Sequence, residues 1–310
     1  MAGAAATVLA ALLLTRMVEN EYVFFAGYVV LQFVVLATAW NILGGYAGYV
    51  NFGSGAFFAV GAYTSVALIQ AFQAPLLVQV VAAATVTGAM GFLVGALTLR
   101  LRGIFFSIAT VAIAVICETV VINWSFVGGA RGIAILQPDT PVGFASYNRM
   151  LFVAMTGFAV LAVGLARFVE ISWIGRGLRA IRDSEEAAES VGVPTLRLKL
   201  AAATLSGALM GVAGAPFPLY MNFIEPVSAF SLNYAVSALA MPLIGGTASW
   251  LGPVIGAVLL GTVQQVVTVT ISSELNVLVV GLVLVAFVVA APQGILGLAR
   301  RLSRREGAGR

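Results

Sequence analysis

The sequence predicts an all-α polytopic membrane protein with about ten transmembrane helices and both termini cytoplasmic, and three observations carry that prediction. Hydrophobic types make up 61% of the 310 residues and charged types only 9%, against roughly 45–50% apolar and about 25% charged in a soluble domain. A water-soluble globular enzyme is thereby excluded. Charge is missing over long intervals, the longest being the 78 residues between Glu21 and Arg100. The basic residues also fall so unevenly on the connecting segments that they orient the chain.

A helix needs about 20 residues to cross a hydrocarbon core of ~30 Å, so the spans can be placed one after another. Residues 2–15 form a short apolar run with no basic segment before it, which reads as an uncleaved first helix rather than a signal peptide. The interval after Glu21 holds three crossings near 22–43, 47–70 and 75–99, divided at Gly44-Gly45 and at Pro75. Residues 103–124 give a span with one acid, Glu118, and 149–168 give another. Lys199–Tyr220 makes the next crossing. Two more fit between Glu225 and Glu274, split at Gly245–Pro253, and 275–298 completes the set. Glycines recur four apart at Gly44/Gly48, Gly91/Gly95, Gly207/Gly211 and Gly252/Gly256, a step that lets helix backbones approach in lipid.

With Arg100 and Arg102 in the cytoplasm, alternation puts 13 basic residues inside and three outside, namely Arg16, Arg131 and Arg149. That asymmetry is what the positive-inside rule requires. One transmembrane domain thus fills 1–299, followed by a basic cytoplasmic tail over 300–310. The net charge of +4 is a topology signal in contact with membrane lipid, and no nucleic-acid partner is expected.

Two connecting segments are long. The external one, about 125–148, carries Gly128-Gly129-Ala130-Arg131-Gly132, Pro138 and Pro141, so it is turn-rich. It reads either as a connector or as a docking surface for an external partner, with Arg131 and Arg149 as its charges. The cytoplasmic one, about 170–198, is predicted to hold a short helix over 184–191. Asp183 would cap it and Glu186, three residues on, would complete a capping box. Gly192 and Pro194 would stop it. Arg179, Arg182, Arg197 and Lys199 flank it. It reads as a solvated surface helix or as a handle for a soluble partner.

Much chemistry is excluded. There is no histidine and one cysteine, Cys117, so there is no imidazole base, no His-based metal site and no internal disulfide. No phosphate-binding Gly-x-x-x-x-Gly-Lys-Ser/Thr loop occurs. The only aspartates, Asp139 and Asp183, lie in loops rather than paired within spans, so no catalytic residue, cofactor or metal is expected. Cation-coupled transporters carry several ionisable groups at membrane depth, and here only Glu118 qualifies. Energy for transport would then come from another polypeptide. Glu118 either lines a permeation path or packs near the outer end of its span. Gln32, Asn41, Asn51, Gln79, Gln264 and Gln265 are also polar within spans, and amides there either hold helices together or touch a solute.

Ala39-Trp40-Asn41-Ile42-Leu43-Gly44-Gly45-Tyr46-Ala47-Gly48, with Gly53 and Ala56-Phe57-Phe58-Ala59-Val60-Gly61-Ala62-Tyr63, resembles the amino-terminal signature of the permeases of branched-chain amino acid ABC importers. Leu99-Arg100-Leu101-Arg102-Gly103-Ile104-Phe105-Phe106 does so too. The segment Gly175-Arg176-Gly177-Leu178-Arg179-Ala180-Ile181-Arg182-Asp183 with Glu186-Ala187-Ala188 and Gly192 is similar to the family's cytoplasmic loop. Ile244-Gly245-Gly246 with Gly252-Pro253-Val254-Ile255-Gly256-Ala257 is similar to its carboxy-terminal motif. The long Arg-rich loop suggests the M-type inner-membrane subunit. The sequence departs from the family at Ser54, where many members have His, at Ala248, where they have Gly, and at Ala130-Arg131.

The resemblance implies half of a translocation pathway for branched-chain amino acids or a related small solute, urea, amides and aromatic acids being carried by relatives. It implies no catalytic activity in this chain, with ATP hydrolysed by a separate subunit. The implied partners are a second homologous permease forming a heterodimer, two ABC ATPases, and a periplasmic or lipid-anchored substrate-binding protein. The implied location is the bacterial or archaeal cytoplasmic membrane. Arg179, Arg182, Glu186, Ala187, Ala188 and Gly192 would form the ATPase-coupling element. Asn41, Asn51, Ser54 and Glu118 are candidates for the path, and Arg131 and Arg149 for binding-protein docking. A stand-alone secondary transporter or channel for a small neutral solute is the competing reading.

Overall fold

The protein is described by a computed structural model covering residues 2–99, 101, 103–138, 140, 144–270, 278, 281–286 and 294–298. Its helices are α1 (Ala2–Met17), α2 (Glu21–Ala47), α3 (Ser54–Phe72), α4 (Leu76–Thr98), α5 (Ile104–Ile122), α6 (Tyr147–Ile171), α7 (Trp173–Asp183), α8 (Glu185–Ser190), α9 (Thr195–Gly214), α10 (Phe217–Met221), α11 (Pro226–Ala229), α12 (Leu232–Gly245) and α13 (Leu251–Thr270). Among the described residues eight helical segments are long and apolar enough to cross a membrane, with α9–α10 and α11–α12 each counting as one. The apolar part of α1, Ala5–Met17, is shorter. The tail over 300–310 and half of the span expected over 275–298 lie outside the described residues.

α2 is the central post. Asn20 opens it by accepting the Tyr22 N–H at 3.0 Å, and Gly48 closes it at φ 78°, a left-handed stop that a side chain adopts poorly. The helix runs straight through Gly44-Gly45, where a break was expected. Unpaired backbone groups are costly in lipid, so the glycines serve close approach instead: a Cβ on Gly45 would strike the Asn41 side chain and the Thr247 carbonyl. Gly48 therefore terminates α2 rather than joining Gly44 in a helix interface. α9 packs on α2, where Ser206 Oγ donates to the Ala39 carbonyl at 2.7 Å and Gln32 Nε2 donates to the Ala213 carbonyl at 3.2 Å. α4 lies on the other side of α9, and a Cβ on Gly91 would run into the Ala203 backbone. The Gly252/Gly256 step does bring α13 onto α12, against Gly245 and Met241.

At one end of the bundle the turn between α1 and α2 meets the start of α6. Described residues of the α5–α6 connection pack there: β1 (Ile133–Ala134) pairs antiparallel with β2 (Phe223–Ile224), and the Gln137 amide donates to the Leu219 carbonyl at 2.8 Å. At the other end lie α7, α8 and the α12–α13 turn. α7 is an element that span-counting missed, because its Gly175 and three arginines look like loop. The expected 184–191 helix is Glu185–Ser190. Its cap is Ser184 rather than Asp183, since Asp183 completes α7. Ser184 is extended (φ −162°, ψ 111°) and its Oγ accepts the Ala187 N–H at 3.3 Å.

Candidate coupling and translocation sites

α8 is held between α7 and α9 as a short presented helix. Its stop is as expected, with Gly192 at φ 85° and the Val193 N–H donating back to the Ala188 carbonyl at 3.0 Å. Glu186 and Ala187 are exposed, and Val191 beside them is 80% exposed. Ala188 points the other way and is only 3% exposed, so of the two alanines expected in the coupling element only Ala187 is presented outward. Successive helical residues are turned by about 100°, which lets Ala187 stay exposed while Ala188 faces in.

The arginines of α7 fasten α8's support to the spans. Arg182 donates to the Gly45 carbonyl at 3.0 Å and lies over Gly48, so it neutralises the carbonyl end of α2. Arg179 donates to the Glu170 carbonyl at 3.1 Å. The Glu170 carboxylate in turn accepts the Tyr46 hydroxyl at 3.3 Å and the Trp250 N–H at 2.6 Å, joining α6 to α2 and to the α12–α13 turn.

Beneath α8 lies a cluster that the sequence did not reveal. Lys199, the chain's only lysine, is 3% exposed. Its Nζ donates to Glu185 Oε1 at 2.5 Å, to the Leu99 carbonyl at 3.0 Å and to the Tyr49 hydroxyl at 3.2 Å. Tyr49 donates to the second Glu185 oxygen at 2.7 Å. A buried charge has to be paired and hydrogen-bonded, and here every proton of the ammonium has a partner. The signal available in the sequence was Lys199 itself, a cation at the first position of the otherwise charge-free span expected over Lys199–Tyr220.

The path candidates separate. Asn51 Oδ1 accepts the Gly53 N–H at 2.7 Å, so it shapes the entry to α3. Asn41 Nδ2 donates to the Thr247 carbonyl at 3.2 Å and ties α2 to the α12–α13 turn. Ser54 is fully buried. Glu118 lines a cavity of about 310 Å³ walled by Phe52, Gly55, Val115, Phe230, Ser231 and Leu232 among others. α5 buries little of itself within this chain, its buried residues being Phe106, Thr110 and Val121. Among the described residues no group of three or more His, Cys, Asp or Glu gathers where a metal ion could be held.

The two docking candidates also part. Arg131 is exposed at a 3-10 turn, Gly129–Arg131. Arg149 is spent internally, pairing with Glu21 at 2.7 Å, donating to the carbonyls of Thr15 and Glu19 and lying 5.0 Å over the Phe24 ring.

Comparison with known proteins decides the family. The profile described as branched-chain amino acid transport system / permease component matches residues 22–288. The chain belongs to this family. It is 29% identical to the high-affinity branched-chain amino acid transport system permease protein LivM of Salmonella typhimurium, over 86% of this chain and 68% of the relative. It is 28% identical to the LivM protein of Escherichia coli K12, over 89% and 70%. Against the corresponding LivH protein of Escherichia coli K12 it is 24% identical, over 86% and 91%. The permease is therefore a multi-pass subunit of an ABC importer in the cytoplasmic membrane, a transport protein rather than an enzyme.

Proposed function

We propose that this permease is the M-type half of a heterodimeric pathway for branched-chain amino acids or a related small solute, driven by two ATPases and fed by a substrate-binding protein. Its single transmembrane domain spans 1–299, with both termini and the 300–310 tail in the cytoplasm. The observation that carries the coupling role is the construction of α8. A six-residue helix is too short to be stable alone, yet this one is capped, stopped and pinned by a buried ion pair to the spans beneath it. Such a helix transmits displacement instead of absorbing it. Glu186, Ala187 and Val191 form its outward face, Arg179 and Arg182 brace it, Ala188 seats it and Gly192 ends it.

Affinity purification of the assembled importer tests this. Ala187→Trp places a bulky ring on the outward face and is expected to strip the ATPase while the permease stays folded. Full ATPase retention in that variant would move the coupling contact to the α12–α13 turn.

A further inference from the structure

We infer that Tyr49 is the joint through which α8 moves α5, a positioning residue that turns displacement at the cytoplasmic surface into displacement of the helix carrying Glu118. The inference rests on α8 being the ATPase-coupling element and extends it to the route of transmission.

The route is continuous and made of polar or aromatic contacts at every step. Glu185 is the first residue of α8, and its two carboxylate oxygens hold Lys199 Nζ and the Tyr49 hydroxyl at 2.5 and 2.7 Å. The Tyr49 ring, buried in the α2–α3 connection, meets Phe106 of α5 edge-on at 5.2 Å and 88°. The next residue, Val50, accepts from Ser107 Oγ at 2.9 Å, and the Phe52 N–H donates to Thr110 Oγ1 at 3.1 Å. Phe106 and Thr110 are two of the three buried residues of α5, and both meet the Tyr49–Phe52 segment. The grip on the first half of α5 is thus concentrated on the segment that the α8 carboxylate holds. α5 is otherwise largely uncovered by its own chain, so few other contacts within this subunit oppose its motion when that segment shifts. Two turns beyond Val111, on the same helix, Glu118 faces the cavity.

A buried hydrogen-bonded ion pair suits this task because it has one good geometry and fails abruptly when stretched. Purely apolar contact would let α8 slide.

The test uses the complete importer, with both permeases, ATPases and binding protein, reconstituted in vesicles. Uptake of radiolabelled leucine and ATP hydrolysis are measured together. Tyr49→Phe keeps the ring on Phe106 and deletes the hydroxyl. The expected result is unchanged ATPase retention and continued hydrolysis, with uptake per ATP lower by about tenfold, equivalent to one lost bond of ~1.4 kcal/mol. An unchanged ratio overturns the inference, and so does loss of the ATPase, which would make the hydroxyl a docking group. Should Tyr49→Phe fail to assemble, Ser107→Ala cuts the route on its α5 side and is read by the same two outcomes. Failure of the α8 reading shows separately, as full ATPase retention in Ala187→Trp.

Discussion

Arg149, at the start of α6, grips Glu21, at the start of α2, with Nε at 2.7 Å from the carboxylate, and Ser146 Oγ donates to the other Glu21 oxygen at 2.8 Å. Because the guanidinium also reaches the carbonyls of Thr15 and Glu19, one side chain locks α1, α2 and α6 together at this end of the bundle.

Arg149→Gln is accordingly expected to destabilise the permease without changing its affinity for a binding protein. Glu21 is half-exposed and the pair is screened, so the loss is on the order of 1–2 kcal/mol, most of it from the bonds to the two carbonyls. Thermal unfolding in detergent reads the first effect. Arg131→Glu is the complement, expected to leave unfolding unchanged and to weaken stimulation of ATP hydrolysis by the binding protein.

Ala188→Trp and Ala187→Trp are expected to differ in kind. Ala188 is enclosed by its own chain, and overpacking such a site costs typically 1–3 kcal/mol. That variant should lower the melting temperature of the isolated permease, whereas Ala187→Trp should leave it untouched and lose only the ATPase. Identical melting curves for the two variants would contradict the orientation of α8.

Membrane sidedness, expected from the uneven spread of basic residues, is tested at the two ends of the bundle. In a Cys117→Ala background, Arg131→Cys should react with an impermeant maleimide from outside, and Arg176→Cys only after the membrane is opened. The reverse pattern would mean that the chain is inserted the other way up.

Glu118→Gln preserves shape and hydrogen bonding while removing the charge that is costly to hold at membrane depth. If the carboxylate lines the path, leucine uptake should fall while assembly and expression stay at the level of the parent protein. Unaltered uptake would demote Glu118 to a packing residue of the cavity wall.

The spans were legible in the sequence because lipid enforces long charge-free runs, and α4, α5 and α6 begin and end within a few residues of their expected limits. Gly192 was legible as well, since only a helix stop explains a glycine two residues before Pro194. α7 was not, because its apolar face, Gly175, Leu178 and Ile181, is interleaved with arginines that imitate a loop. The inward turn of Ala188 was hidden for another reason: which side of a six-residue helix faces home depends on α7 and α9, not on its own composition. Tyr49 and Glu185 are 136 residues apart, and no local pattern announces that a tyrosine in one loop completes the coordination of a lysine in a distant span.

Lys199 has a practical bearing on how the importer can be watched at work. It is the chain's only lysine, and its amine lies within the Glu185, Tyr49 and Leu99 cluster. An acylating reagent meets no other lysine side chain on this subunit. The rate at which that amine is modified therefore reports how often the cluster comes apart, and mass spectrometry during turnover would count those openings without a dye, a spin label or an engineered cysteine.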